Sequence, residues 1–167
     1  RISRHNIICN ELSHLILKYI PSSSVESEFQ IRYKNITDKK ADLKVTLPNG
    51  DIFFVDVTIC NSGAKSYQNM DISTLLREKE KIKIAQYNCV GFDENSRNFI
   101  PFVLDVSGTL GKRAIDFIQY LHHLDSNKSD SFHSVAMRNI NVVLASGLAK
   151  TIFSFNEGMN LFIPDSC

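Results

Sequence analysis

The stretch ADLKVTLPNGDIFFVDVT, residues 41–58, contains two apolar segments separated by turn-forming residues. It predicts two antiparallel strands, at 41–47 and 52–59, joined as a hairpin. Each strand carries one aspartate, Asp42 or Asp56. A carboxylate buried without a partner loses several kcal/mol of solvation, so aspartates are unexpected in strands this apolar. These two residues are therefore the first candidates for a functional role.

The length of the hairpin loop decides whether the two aspartates share a face of the sheet. A three-residue loop at 48–50, with Gly50 left-handed, pairs Leu47 with Asp51 and places Asp42 opposite Asp56. A two-residue Asn-Gly turn puts them on opposite faces, because a one-residue slip reverses every side chain. In the first case two like charges oppose each other and destabilise the ladder. A lysine or a metal ion is then expected between them.

Composition favours one soluble domain. A chain of 167 residues is long enough for a single core, whereas two halves would each be marginal. No apolar run approaches the roughly 20 residues that a membrane span needs, and no signal peptide is recognisable, so we expect an intracellular protein. The chain starts without methionine, and we expect it to be a fragment of a larger polyprotein. The cysteines form no C-x-x-C pair, which favours free thiols over a zinc site or disulfides: Cys9, Cys60, Cys89 and Cys167.

The net charge of +1 does not by itself indicate a nucleic-acid-binding protein. Basic residues are nevertheless clustered locally, and such clusters are typical of a solvated surface unless geometry shows otherwise. The two clusters are Arg32, Lys34, Lys39 and Lys40, and then Arg77, Lys79, Lys81 and Lys83.

Hydrophobic periodicity predicts the order α-β-β-β-α-β-α-α. This order favours an α/β fold, with a mixed central sheet flanked by helices, an antiparallel hairpin and a fourth strand parallel to its neighbour. We expect a single domain over 1–167, with a core at about 4–124 and a C-terminal helical extension at about 133–153. The predicted helices are 6–19, 72–87, 109–123 and 133–153, the strands are 24–31, 41–47, 52–59 and 99–108, and 32–40 is a basic connection.

The helix at 72–87 carries two lysines inside its apolar stripe. On a helical wheel Lys79 and Lys83 lie within this stripe, whereas Lys81 lies on the opposite side. Both lysines can point toward the sheet, or can extend past the edge of the stripe to water. The stripe consists of Ile72, Leu75, Leu76, Ile82 and Tyr87.

Three further side chains are weaker candidates. Glu28, on the strand at 24–31, is expected to be solvated or to join the two aspartates. His5, at the start of a helix, favours a capping or surface role, and Asp105 at the end of the fourth strand favours a supporting one.

These motifs resemble the PD-(D/E)XK, or restriction-endonuclease-like, nuclease superfamily, and most of all the endonuclease-like domains associated with eukaryotic retroelements. The resemblance covers roughly residues 4–124. Its motifs are Arg4-His5-Asn6, the AD of the second strand, Asp56-Val57-Thr58, Lys83 with Tyr87, and the sequence DVSGTLG after the fourth strand.

The resemblance implies that Asp42, Asp56 and the backbone carbonyl of Val57 bind Mg²⁺ or Mn²⁺, with Glu28 as an auxiliary acid. Thr58 stands where the family usually has its catalytic lysine, and Lys83 from the following helix is expected to replace it. Hard cations of this kind take oxygen ligands and activate water for phosphodiester hydrolysis. The residues expected to bind the nucleic-acid backbone are Arg32, Lys34, Lys39, Lys40, Lys79, Lys112 and Arg113.

The expected function is a metal-dependent endonuclease acting on DNA, as part of a mobile-element protein and nuclear if derived from a retroelement. One alternative is an inactive nuclease-fold module that binds nucleic acid or a protein partner. Another is a structural domain whose acidic pair is solvated at a sheet edge. The sequence leaves the oligomeric state open, a homodimer included.

Overall fold

The computed structural model describes residues 2–33, 36–125 and 132–159, and within them the side chains of 4–32, 39–125 and 132–146. It confirms the predicted α/β class and element order. The elements are α1 (Ile2–Tyr19), β1 (Ser24–Tyr33), β2 (Ile36–Thr46), β3 (Ile52–Cys60), α2 (Ile72–Tyr87), β4 (Phe99–Asp105), α3 (Lys112–Leu124) and α4 (Phe132–Met159).

The sheet has four strands in the order β1-β2-β3-β4. β1 and β2 pair antiparallel, as do β2 and β3, whereas β4 lies parallel to β3. The parallel pair needs a crossover, which α2 provides. The mixed sheet is therefore the one that the sequence predicted.

The hairpin loop has the three-residue form. The Leu47 N–H donates to the Asp51 carbonyl at 2.9 Å, and the Gly50 N–H donates to the Leu47 carbonyl at 2.9 Å. Gly50 has φ +89°, a left-handed conformation that glycine adopts without steric cost. The ladder ends at the Leu43–Val55 pair, one residue before Asp42 and Asp56, so the predicted pairing of the two aspartates is not formed.

Helices cover both faces of the sheet. On one face α1, α3 and α4 pack on alternate residues of the strands, and α2 covers the other face. The α4 side chains Phe132 and Ile140 belong to the same core as the sheet, so the predicted C-terminal extension is part of that core. Strand residues on the α1 face are Leu43, Val45, Val55, Val57, Ile100, Phe102 and Leu104, and residues packed on the α2 face include Cys60, Leu75, Leu76 and Val103.

Two predictions about local structure are wrong. Most of 32–40 is strand, because β1 and β2 extend outward and pair Gln30 with Lys40; residues 34–35 lie outside the described residues. Ile82 is exposed, and the α2 residue buried in its place is Glu80. The Glu80 carboxylate accepts the Arg113 N–H at 2.9 Å, in the first turn of α3, which explains why a charged residue is buried there.

No helix in the described part of the chain is long and apolar enough to cross a bilayer.

Candidate functional site

A gap opens between β2 and β3 at Asp42. The ladder between these strands runs only from the Thr46–Ile52 pair to the Leu43–Val55 pair. Leu43 packs in the core under α1, whereas Ala41 packs in the cluster under α2, so the side-chain alternation of β2 breaks at Asp42. If the ladder continued, the Val57 N–H would bond to the backbone of Ala41. It donates instead to Oδ2 of Asp42 at 2.6 Å.

The second partner of Asp42 comes from α1. His5 Nε2 lies 3.0 Å from Asp42 Oδ2, and the side chains are 33% and 25% exposed. The Cys9 thiol, one helical turn further on, lies 3.8 Å from His5 Nδ1 and 4.0 Å from Nε2. Asp42 therefore lies at a solvent-accessible end of the gap, between a strand amide and an imidazole.

Asp56 faces α2 and is buried, with its side chain 8% exposed. Lys83 Nζ lies 2.8 Å from Oδ2, and the Tyr87 hydroxyl donates to Oδ1 at 2.7 Å. The same hydroxyl lies 2.6 Å from the Lys40 carbonyl, so its proton is shared between β2 and β3 across the gap. Of the two α2 lysines, Lys83 is the one that supplies the predicted cation to a strand aspartate.

The charges of both carboxylates act on two neighbouring groups. Burial and the negative charges of Asp56 and Asp42 raise the pKa of the Tyr87 hydroxyl far above its ordinary value. Burial and the charges of Asp42 and Asp56 also raise the pKa of the Cys9 thiol, to about 12. Tyr87 therefore stays protonated as a donor to Asp56.

The two carboxylates receive their partners from opposite faces of the sheet. Asp56 is held by α2 and Asp42 by α1. A regular ladder would direct both toward the same face, as the sequence predicted from the loop length. Asp42 departs from this pattern because β2 leaves the ladder at that residue. The aspartates thus flank the gap.

The oxygen atoms around this gap belong to the donor types that hard divalent cations take. In a strand the N–H and C=O of one residue point to the same side, so the Val57 carbonyl faces Asp42 together with its N–H. Lys83 approaches Asp56 Oδ2 at ion-pair distance but without hydrogen-bond geometry, which leaves that buried oxygen with bonding capacity. Two carboxylates and a carbonyl are the donor types that Mg²⁺ and Mn²⁺ prefer.

Glu28 is not part of this site, so its predicted role as an auxiliary acid is wrong. Its side chain is 74% exposed and forms an ion pair with Lys40 at 2.8 Å. The reason is local: Glu28 has φ +55°, and its position between the Ser27–Leu43 and Phe29–Ala41 pairs is irregular. The side chain therefore turns to solvent.

The predicted nucleic-acid-binding residues fall into two groups. Lys79 donates to the Tyr67 hydroxyl at 2.8 Å and does not contact Asp56, and Arg113 donates to the carbonyls of Ser96 and Glu94. These two side chains hold the fold together. The exposed members are Arg32, Lys40 and Lys112, Lys39 is half-buried, and Lys34 lies outside the described residues.

Two of the exposed cations are already paired with acids. Lys40 pairs with Glu28, and Lys112 pairs with Asp116 at 2.9 Å, one turn along α3. Both pairs are solvent-exposed and therefore weak, so a phosphate can compete for the ammonium groups.

Asp105, at the end of β4, joins two loops, and a supporting role for it at the candidate site stays a prediction. It is fully buried and accepts the Ser62 N–H at 2.7 Å and the Ser107 N–H at 2.8 Å. Burial alone would raise the pKa of Asp105, but these hydrogen bonds from Ser107 and Ser62 lower it. The ionised carboxylate thus joins the loops that follow β3 and β4.

Sequence reasoning missed the contact between His5 and Asp42. The predicted helix began at residue 6, which made His5 a capping residue, whereas α1 begins at Ile2 and places His5 at the end of its first turn. From there the imidazole reaches β2. The signal that could have found it is the i, i+4 spacing of His5 and Cys9, which puts both on one face of a helix.

Comparison with models of known protein families gives no match, and comparison with curated protein sequences gives no significant match. Function is therefore inferred from the geometry of these side chains and from the resemblance of their motifs.

Proposed function

We propose that the protein is a metal-dependent endonuclease that hydrolyses DNA phosphodiester bonds. The observation that supports this most strongly is the contact of Lys83 with the buried Asp56, across the gap from Asp42. An ammonium group beside a buried carboxylate, with a second carboxylate at the same gap between strands, is an arrangement that suits a phosphate and a divalent cation. The resemblance to restriction-endonuclease-like domains assigns the same roles to these three residues.

In this proposal Asp42, Asp56 and the Val57 carbonyl hold Mg²⁺ or Mn²⁺. The metal, when bound, polarises the phosphate and lowers the pKa of the attacking water. Lys83 holds that water and offsets the negative charge that develops on the phosphate, an electrostatic contribution fixed in advance by the fold. Tyr87 and His5 orient the two carboxylates, since each contacts one of them.

The position of Lys83 supports the proposed replacement of the missing strand lysine. Thr58, two residues after Asp56, is half-buried, and its hydroxyl has no hydrogen-bond partner among the described residues. A threonine at this position cannot supply a positive charge. Lys83 approaches Asp56 from α2 and supplies the charge from a different element.

DNA is the proposed substrate because the hairpin next to the gap carries several cations. Arg32, Lys39 and Lys40 lie on the β1–β2 hairpin, and the Lys40 carbonyl is itself bonded to Tyr87. Cations on this hairpin can contact phosphates near the carboxylates. Such contacts position a nucleic acid without reading its sequence, so we expect binding that weakens as salt rises.

A plasmid-nicking assay tests the proposal. We expect nicking with Mg²⁺ or Mn²⁺ that chelator abolishes, and a loss of at least about 100-fold in Asp56→Ala and Lys83→Met. The matched control is Lys81→Met, on the solvated side of α2, which should nick at the wild-type rate.

Full activity in Asp56→Ala, or nicking in the presence of chelator, would overturn the proposal. DNA binding without cleavage at any metal concentration would also overturn it, in favour of an inactive nuclease-fold module.

A further inference from the structure

We infer that His5, Cys9 and Asp42 form a second metal site, suited to a borderline-soft ion such as Zn²⁺. One ligand atom from each residue lies within 4.8 Å of the other two. The site shares Asp42 with the proposed magnesium site but does not depend on nuclease activity. The wide spacing of the cysteines in the sequence gave no indication of it.

The fold brings the three ligands together from two elements. His5 and Cys9 are four residues apart on α1, so they lie on one face of the helix, and Asp42 approaches from β2. His5 Nε2 is 3.0 Å from Asp42 Oδ2, and Cys9 Sγ is 4.0 Å from Nε2.

These separations are close to those of a zinc site. Tetrahedral zinc, with bonds of about 2.0–2.2 Å to nitrogen and oxygen and about 2.3 Å to sulfur, separates nitrogen from oxygen by about 3.4 Å and nitrogen from sulfur by about 3.6 Å. The nitrogen–oxygen pair would therefore need to open, and the nitrogen–sulfur pair to close, by about 0.4 Å each. Cys9 Sγ is almost equidistant from both ring nitrogens, so the imidazole must also rotate. The His5 side chain is partly exposed, which leaves room for that rotation.

The chemistry of the donors separates this site from the magnesium site. Thiolate and imidazole favour Zn²⁺ and Co²⁺, whereas Mg²⁺ prefers oxygen ligands alone. Binding deprotonates the Cys9 thiol, and its proton passes to solvent. Three protein ligands leave a fourth position for water, as zinc sites commonly do.

Asn6 favours the tautomer of His5 that a metal needs, with the proton on Nδ1. Its side-chain oxygen lies 3.3 Å from His5 Nδ1 and can accept a hydrogen bond from a proton on that nitrogen, which leaves the lone pair of Nε2 for the metal. A hydrogen bond on the second ring nitrogen commonly fixes a metal-binding histidine in this way.

Cobalt titration of the reduced, chelator-treated chain tests the inference. Co²⁺ bound by a thiolate gives a near-ultraviolet charge-transfer band. We expect this band to saturate at one equivalent, to disappear when Zn²⁺ is added, and to be absent in Cys9→Ala. Cys89→Ala is the matched control, because Cys89 is exposed and far from the site in sequence, and it should keep the band.

A wild-type chain without the band, or Cys9→Ala with it, would overturn the inference. If Cys9→Ala does not fold, His5→Ala replaces it, since this variant keeps the thiol. It should bind Co²⁺ at least about tenfold more weakly, and Zn²⁺ should raise the melting temperature of the wild type but not of His5→Ala. Equal affinity in His5→Ala and wild type would equally rule out the site.

Discussion

Replacing Lys83 by methionine should destabilise the fold through Asp56. The substitution keeps the aliphatic part of the side chain but removes the ammonium 2.8 Å from a carboxylate that is 8% exposed. Removing one partner of a fully buried ion pair costs about 3–5 kcal/mol, because the other charge stays buried and uncompensated. Lys83 is 25% exposed and the Tyr87 hydrogen bond to Asp56 remains, so solvent screening reduces the expected loss to about 2–3 kcal/mol.

A double-mutant cycle isolates this interaction. The free energy of unfolding is measured by urea titration for the wild type, Lys83→Met, Asp56→Asn and the double variant, with far-ultraviolet circular dichroism as the signal because the chain has no tryptophan. Asp56→Asn removes the charge that Lys83 compensates. Adding Lys83→Met to it should therefore cost at least about 1 kcal/mol less than adding it to the wild type.

Lys81→Met is the stability control, because Lys81 is about half exposed and pairs with Glu78 on the solvated side of the same helix. It should change the free energy of unfolding by less than about 0.5 kcal/mol. If Lys83→Met is as mild as Lys81→Met, or if the cycle shows no coupling, Lys83 and Asp56 do not form the interaction described.

Two further predictions concern the loops. Gly108→Ala should lower the free energy of unfolding slightly more than Gly50→Ala: both have positive φ, but a Cβ at Gly108 would meet the exposed side chain of Asn141, which must move aside, whereas at Gly50 it would meet nothing within 4 Å. Thermal melts of the two variants compare them directly, and equal shifts would contradict the clash. Asp105→Asn should cost about 2 kcal/mol at neutral pH, since an amide has a single oxygen for two N–H donors. The native pKa of Asp105 is lowered from its ordinary 3.8, so the stability that its charge contributes is present above that pH and is lost as the pH falls through the lowered value. Urea titrations should therefore show the difference shrinking in acid, and a difference that grows would contradict this sign.

Local sequence signals predicted most of the fold. The Pro48-Asn49-Gly50 loop determines the hairpin register through contacts among adjacent residues, so the register could be predicted from the sequence. The bounds of α2 were predicted for a similar reason, because the Asp71 carboxylate accepts the Ser73 and Thr74 N–H groups as the N-cap. Such signals need no knowledge of the rest of the chain.

The candidate site was predictable only where helical periodicity decided the matter. The inward direction of Lys83 follows from its place on the wheel, and its contact with Asp56 agrees with it. The outward turn of Glu28 and the departure of Asp42 from its expected face depend on where strand pairing breaks. Those breaks arise from the packing of β2 between two different clusters, which no local pattern reports. For the same reason the sequence did not predict that Cys9 of α1 lies near Asp42 of β2.

The hydrogen bond from the Val57 amide to Asp42 couples the ionisation and ligand binding of this side chain to the spacing of β2 and β3. Here a carboxylate, and not a neighbouring backbone, joins two strands. Ion capture or protonation at this oxygen would weaken the hydrogen bond that joins β2 to β3 beyond the Leu43–Val55 pair. Ligand binding at Asp42 and the spacing between β2 and β3 are therefore thermodynamically linked. A ligand that shifts this spacing binds more tightly when the strands already have the shifted spacing.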